Sequence, residues 1–290
     1  MLSMALLIQE RENIYMIKTL LLINKKQPFL ILGIVLIIIL SILSFLSLFI
    51  NTENIQNLNS TLLPIGSNGY VLGSDHLGRS ILDRILVGSR ISLSIGILAS
   101  LIALLIGFFL GVLSGFYSGM IDNLIMRFTD VIMSFPTLLL IIAISVTLPN
   151  NYMSTIVVIG ISSWTSMARL IRSQILRIKS EAYYESAKAL GYSDSRIIIK
   201  HLIPNCIGPI IIFFTLGISN SIMAESSLSF LGLGVQPPTP TWGGMINEGK
   251  NFLRIAHHIS TIPGLCICIT VLAFNLIGES LRDYLDVKIK

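Results

Sequence analysis

Charge is what this sequence has least of. Asp, Glu, Lys and Arg make up 12% of its 290 residues, about half of the roughly 25% usual in a soluble domain. Hydrophobic residues reach 53% and the mean hydropathy is +0.82. A water-soluble core of this size cannot hide that much apolar surface, so the class is integral membrane. Cysteine is scarce as well. Cys206, Cys266 and Cys268 lie in or beside apolar runs, which excludes a disulfide framework and reads as small buried thiols. Cys266 and Cys268 have neither the spacing nor the neighbours of a zinc site. His257 and His258 are adjacent, so they point apart on a helix or strand, and no acid or thiol stands beside them; no metal site is expected. Lys and Arg outnumber Asp and Glu by 20 to 15. The bases cluster at the ends of apolar runs rather than among exposed aromatics, which is a membrane pattern and not a nucleic-acid one. No Ser-His-Asp, Cys-His or paired-carboxylate arrangement points to hydrolysis, and the chain is expected not to be an enzyme.

What the sequence does have is long uncharged runs. A bilayer core takes about 20 apolar residues of helix. Residues 29–50 supply span one and the uncharged run 91–121 span two. The run 131–168 is too long for one helix, and Pro149-Asn150-Asn151 divides it into spans three and four. Residues 205–224 give span five and 259–278 span six. With the N-terminus inside, the inner segments hold 15 of the 20 Lys and Arg residues, which favours both termini in the cytoplasm. Residues 1–26 form a cytoplasmic N-terminal segment, within which Met16 reads as a natural start. No small-x-small cleavage site follows the first apolar run, so a cleaved signal peptide is not expected. The fold class is therefore all-α integral membrane, with six spans.

Between spans four and five lies a charged stretch of different character, at about 172–204. Residues 175–190 read as one helix among charges. Gly191 ends it in a left-handed conformation, Ser193 or Asp194 caps the next helix, and Pro204 marks entry to span five. The product is a cytoplasmic helix-turn-helix. Its residues Glu185-Ser186-Ala187, then Gly191, then His201-Leu202-Ile203-Pro204 resemble the EAA loop of ABC importer permeases, with Ser186, His201 and Ile203 as mild departures.

The resemblance extends along the chain from about residue 73 to 286. Leu72-Gly73-Ser74-Asp75-His76-Leu77-Gly78-Arg79 with Arg84, Gly88 and Arg90 looks like the loop entering span two of peptide and nickel permeases, with Ser80 as a departure. Gly115-Phe116-Tyr117-Ser118-Gly119, Phe135-Pro136, the stretch from Glu225 to Pro238, Trp242-Gly243 and the segment Leu272 to Asp283 follow in family order. The branch resembled is the C-type permease of dipeptide, oligopeptide and nickel importers. The resemblance implies a 27–290 transmembrane domain in the bacterial cytoplasmic (inner) membrane. It implies a second, related permease as partner, two ABC ATPase subunits and an extracytoplasmic substrate-binding protein. It implies no cofactor in this chain, with ATP and Mg held on the ATPases. Glu185, Ser186, Ala187, Gly191, His201 and Pro204 then belong to the ATPase-docking loop, in which Gly191 lets the turn pack closely. Di- and oligopeptides are the implied cargo; nickel or a metal–chelator complex is the alternative. A self-contained, ion-coupled carrier is the rival from another class, but it needs coupling-ion sites near the midplane, where this sequence carries almost no charge.

Several residues have both a functional and a plain reading. Glu225 is either pathway-lining or structural, and Ser226 and Ser229 either extend a polar lining or pack helices closely. Asp130 is expected to pair with Arg127, three residues before it on the same helical face. Gly96, Ser100, Gly107, Gly111 and Gly115 form a small-residue stripe that marks a helix-packing face of span two. Trp164 and Trp242 read as interface anchors. The segment 244–251 nearly spells a phosphate loop but lacks the closing Ser or Thr, and is expected to be an irregular external loop. Residues 51–71 read as an external loop without chemistry of its own.

Overall fold

The computed structural model describes residues 28–49, 56–67 and 69–288, with side chains through residue 285. The readings of residues 1–26, of Met16 and of 51–55 lie outside these. The described residues form helices, with two isolated β-bridges and no strand. Among the described residues five helices are long and apolar enough to cross a membrane, or six if a bent pair of shorter helices counts as one span.

Helix α1 covers Pro28–Phe49 and α2 Ile81–Tyr117. Helix α2 starts at Ser80, whose hydroxyl accepts from the Asp83 N–H, so it begins before residue 91. It stops at Tyr117 rather than 121 because Ser118 (φ 54°) and Gly119 (φ 64°) are both left-handed. Helices α3 (Gly119–Met133) and α4 (Thr137–Ser145) meet at 85°. Span three is thus a bent pair and not one straight helix. Pro136 has no N–H to continue α3, and the Ser134 hydroxyl donates to the Val131 carbonyl at 2.7 Å. Helix α5 (Tyr152–Lys179) starts where Pro149-Asn150-Asn151 was expected to break the run, with Asn151 accepting from the Ser154 N–H at 2.8 Å.

The expected helix 175–190 is split at Ser180-Glu181 into the end of α5 and a separate α6, Ala182–Ala189. Then come α7 (Asp194–Ile197), a π-helical turn (Ile198–Leu202) and α8 (Ile203–Phe230). Ser193 takes the N-cap position of α7 without a side-chain bond. Pro204 lies in the first turn of α8, but no loop precedes it, since helical backbone runs from Asp194 to Phe230. Helix α9 (Trp242–Gly249) and α10 (His258–Lys288) complete the chain. The 244–251 segment is therefore mostly helix, a correction to the expected irregular loop. Thr241 caps it by accepting from the Gly244 N–H at 3.0 Å.

Helices α2 and α5 lie in close contact, and the small-residue stripe is the reason. A Cβ on Gly107 would stand 2.8 Å from the Trp164 carbonyl oxygen, and one on Gly111 would stand 2.7 Å from that of Ala168. A Cβ on Gly115 would lie 2.9 Å from the Ile175 Cβ. Gly96 and Ser100 face α8 instead: a Cβ on Gly96 would meet Ile222 at 2.5 Å, and Ser100 donates to the Phe214 carbonyl at 3.2 Å. The stripe thus packs within the chain, against two neighbours. Gly160 is its counterpart on α5, with the Ile102 side chain 2.7 Å from where a Cβ would be.

Three side-chain expectations are corrected. Trp164 and Trp242 are both buried rather than at an interface. Trp242 donates its indole N–H to the Ile85 carbonyl at 3.3 Å and Trp164 stacks on Phe128. Asp130 pairs with Arg169 of α5 and not with Arg127. Cys206 is buried, but Cys266 is half-buried and Cys268 exposed.

Candidate functional site

One end of the molecule carries α6. Tyr184 and Ala187 turn inward and are buried, and Tyr184 joins a cluster with Ile171, Ile175 and Ile178 of α5 and Ile197, Leu202 and Cys206 beyond the turn. Phe108, Val112 and Phe116 of α2 pack against the same cluster. Glu185, Ser186, Lys188 and Leu190 face out, with Leu190 71% exposed. A short helix with two anchoring side chains and a free opposite face is a knob on a rigid base.

The end of the knob is set by backbone chemistry. Gly191 has φ 72°. Its N–H donates to the Lys188 carbonyl at 3.0 Å, and that of Tyr192 to the Ala187 carbonyl at 3.3 Å, which is a Schellman closure. No atom stands within 4 Å of where a Gly191 Cβ would be. Glycine is needed here for its left-handed conformation, then, and not for close packing inside this chain, as the sequence suggested. His201 has an internal role: it stacks on Tyr192 at 6.2 Å, and Arg196 lies over the same Tyr192 ring at 4.1 Å. Pro204 is exposed at the foot of α8.

Two basic residues tie this knob to the α2–α3 corner. Lys179, the last residue of α5, donates to the carbonyls of Gly115 (3.2 Å) and Phe116 (2.9 Å) and to the Ser118 hydroxyl (3.0 Å). A cation at a helix C-terminus satisfies carbonyls that have no intrahelical partner. Arg172 grips Asp122 with two hydrogen bonds of 2.6 Å, and Ser114 donates to the same carboxylate. The sequence showed these charges without their pairing, because the partners lie on different helices.

The opposite end is locked by a second set of charges. Asp75 is fully buried and receives Arg79 Nε and Arg84 Nη1, each at 2.6 Å, and the N–H groups of Leu77 and Arg79. Both arginines also bind Glu248 of α9, at 2.6 and 2.7 Å. Burial alone would raise the Asp75 pKa, but the Arg84 charge, the Arg79 N–H and charge and the Leu77 N–H outweigh it and hold the carboxyl below its usual range. Asp75, His76 and Glu248 bring their ligand atoms within 4.8 Å of one another. A cation there would face two guanidinium groups that already neutralise the carboxylates, so the cluster does not suit a metal.

Between the two ends, α2, α4, α5 and α8 line a half-open cavity of about 400 Å³. Its polar lining includes Ser100, Thr137, Ser162, Ser166, Asn220 and Ser227, and none of its lining residues is charged. Ser166 and Asn220 are exposed within otherwise apolar spans. Glu225, Ser226 and Ser229 do not line this cavity. Glu225 is 0% exposed; it accepts from Ser229 at 2.8 Å and from Ser92 and Ser226 at 3.5 Å. Ser92 also accepts from the Trp242 N–H at 3.2 Å, so this network fastens α9 to α2 and α8. A Cβ on Gly243 would come within 2.7 Å of the Ser226 Cα, which is how closely α9 seats there. Sequence reading missed Asn220 and Ser166; the available signal was an amide and hydroxyls in mid-span with no polar partner in sequence.

A helical bundle that lines an uncharged, half-open cavity with mixed polar and apolar walls and projects a short helical knob from one end has the architecture of a transport subunit. The family described as "Binding-protein-dependent transport system inner membrane component" matches residues 107–290. The chain is 49% identical over 218 residues to the glutathione transport system permease protein GsiD of Shigella flexneri serotype 5b, covering 75% of this chain and 72% of that one. It is 46% identical over the same shares to GsiD of Escherichia coli O6:K15:H31. Among solved structures, a chain of the inward-facing MetNI methionine ABC transporter superposes with a TM-score of 0.57 at 17% identity, covering 70% of this chain and 95% of that one. An amino acid ABC transporter gives 0.54 at 16% identity, covering 68% and 91%. The chain belongs to the binding-protein-dependent transport system inner membrane component family and is a permease of the ABC importer type.

Proposed function

We propose that this permease forms half of a pathway for di- and oligopeptides in a bacterial cytoplasmic membrane. A second, related permease supplies the other half. Both termini and α6 lie in the cytoplasm, where fifteen of the 20 basic residues then fall. Two ABC ATPase subunits, which hold ATP and Mg, receive the outer face of α6. A substrate-binding protein docks at the opposite end, on the side of α9.

The observation that carries this reading is the construction of α6. One face is buried at Tyr184 and Ala187, with Tyr184 anchored in the cluster shared by α2, α5 and α8, while Glu185, Ser186 and Leu190 are free to enter a partner. Lys179 and Arg172 extend the same rigid body to the α2–α3 corner. Closure of an ATPase pair against α6 then becomes a rigid-body displacement of the helices around the cavity. The GsiD relatives are permeases of a glutathione, hence peptide, system by name, which favours peptide cargo over a metal. A lining without carboxylate, imidazole or thiol favours it too, because a bare divalent cation would find no anionic or nitrogen ligand there.

The test is purification of the chain from its native membranes, with identification of what comes with it. A second permease and ATPase subunits are expected with the wild type, and loss of the ATPases with Glu185→Ala combined with Gly191→Val. Recovery of the chain alone, unaffected by these changes and active in uptake under an ion gradient, would replace this reading with a self-contained carrier.

A further inference from the structure

The cavity has a chemistry narrower than "polar". Its lining sets hydroxyls and one carboxamide, that of Asn220, among apolar side chains such as Leu104, Leu138, Ile141 and Phe213, and holds no ionisable side chain. Some of the hydroxyls are already engaged: Ser162 donates to the Val158 carbonyl at 2.7 Å, Ser227 to that of Met223 at 2.8 Å, and Ser100 to that of Phe214. The Asn220 side chain makes no hydrogen bond among the described residues and is exposed on α8. An amide left without a partner in an apolar medium is costly, because it gives up its hydrogen bonds to water without replacement. A mid-span Asn facing lipid is therefore disfavoured, and this face of α5 and α8 meets something that hydrogen-bonds. A carboxamide both donates and accepts, as does a peptide group.

We infer that Asn220 and the hydroxyls around it form a charge-neutral hydrogen-bonding site that holds the peptide backbone of the cargo during passage and leaves its side-chain charge unread. The inference rests on the importer reading above and names the residue that sets this property. A neutral donor–acceptor pairs with backbone amides of any sequence, whereas a fixed charge in a water-poor site would attract one class of side chain and repel the other. Selection among peptides then falls to groups outside the cavity.

The experiment uses the complete assembly, with its partner permease, ATPases and binding protein, in proteoliposomes. The probes are Ala-Ala-Ala, Ala-Lys-Ala and Ala-Asp-Ala, with uptake of each normalised to its affinity for the binding protein. Wild type is expected to move all three at similar normalised rates. Asn220→Asp is expected to lower the Ala-Asp-Ala to Ala-Lys-Ala uptake ratio about tenfold, and Asn220→Lys to raise it by a similar factor, as a like charge within a few ångströms would. If Asn220 instead packs against the second permease, both variants will lower assembly yield and all three peptides uniformly, which overturns the inference while the importer reading stands. A complex that hydrolyses ATP but moves none of the peptides overturns the peptide cargo and this inference together.

Discussion

The two charged clusters at opposite ends of the molecule are built to different rules. At the α9 end, two arginines and two carboxylates share every charge, and the central Asp75 is sealed from solvent. At the α6 end, Arg172 holds Asp122 with its own side chain about one-third exposed, and Lys179 binds backbone carbonyls rather than an acid. Breaking a buried ion network leaves uncompensated charge and costs far more than breaking a solvated one. The first cluster therefore fixes a cap in place, whereas the second, with Asp122 buried but the Arg172 guanidinium partly open to solvent, ties α5 to the α2–α3 corner. The neighbouring helices follow the same division. Helix α9 is seated on Ser226 through Gly243 and braced by the Glu225 network, while α6 is held by two side chains and a glycine turn.

The largest expected effect is at the cap. Arg84→Ala leaves the buried Asp75 and Glu248 to share Arg79 alone and should destabilise the protein by about 3–5 kcal/mol, read as a fall in the unfolding midpoint of the detergent-solubilised chain. An unchanged midpoint would remove the contrast between the two ends. Next is Gly111→Val, which places a side chain against the Ala168 carbonyl and Ile171. Overpacking of this kind costs about 1–3 kcal/mol or more, and membrane-inserted yield should fall. Gly191→Val should cost about 1–2 kcal/mol locally, because a left-handed residue other than glycine is strained, yet it should abolish uptake with insertion intact; Gly191→Asn should retain part of the uptake. Lys179→Met removes three hydrogen bonds at the end of α2 and should lower stability by about 1 kcal/mol, while raising ATP consumed per peptide moved if the α2–α3 corner no longer follows α6.

The smallest effect is a pH dependence confined to the cap. The Asp75 pKa is lowered from its ordinary value of 3.8. Its contribution to stability is present above the unfolded value and is lost as pH falls through the lower folded one. Stability should be flat in this respect at neutral pH, and the midpoint gap between wild type and Asp75→Asn should close only below pH 3.8. A gap that closes near neutrality would show that another group governs the cap.

Much of this arrangement was legible before any coordinates. The spans could be read because their charges are missing, and the left-handed turn at Gly191 because a glycine follows a helical pattern. The stripe Gly107, Gly111, Gly115 announced a close helix contact, though not that α5 was the neighbour. Other features were hidden for stated physical reasons. The bend at Pro136 sits inside an unbroken apolar run, where hydropathy carries no directional information. Helix α9 is rich in glycine and short, and tertiary seating overrides its weak propensity. Glu225 was ambiguous because an acid near a span end looks the same whether it faces a pathway or is enclosed by hydroxyls from Ser92 and Ser229. The pairing of Glu248 with Arg84 joins residues far apart in sequence, which no local pattern reveals.

The central claim is that α6 is the contact through which an ATPase drives this permease. The most direct test places a cysteine at Ser186, on the exposed face of α6, with Cys268 replaced by Ala, and applies a short thiol cross-linker to native membranes. The account predicts a covalent adduct with the ATPase subunit that is lost when Gly191→Val is added, and none from a cysteine placed at Ser227 in the cavity. Absence of any ATPase adduct from Ser186→Cys in membranes that still perform uptake would contradict it.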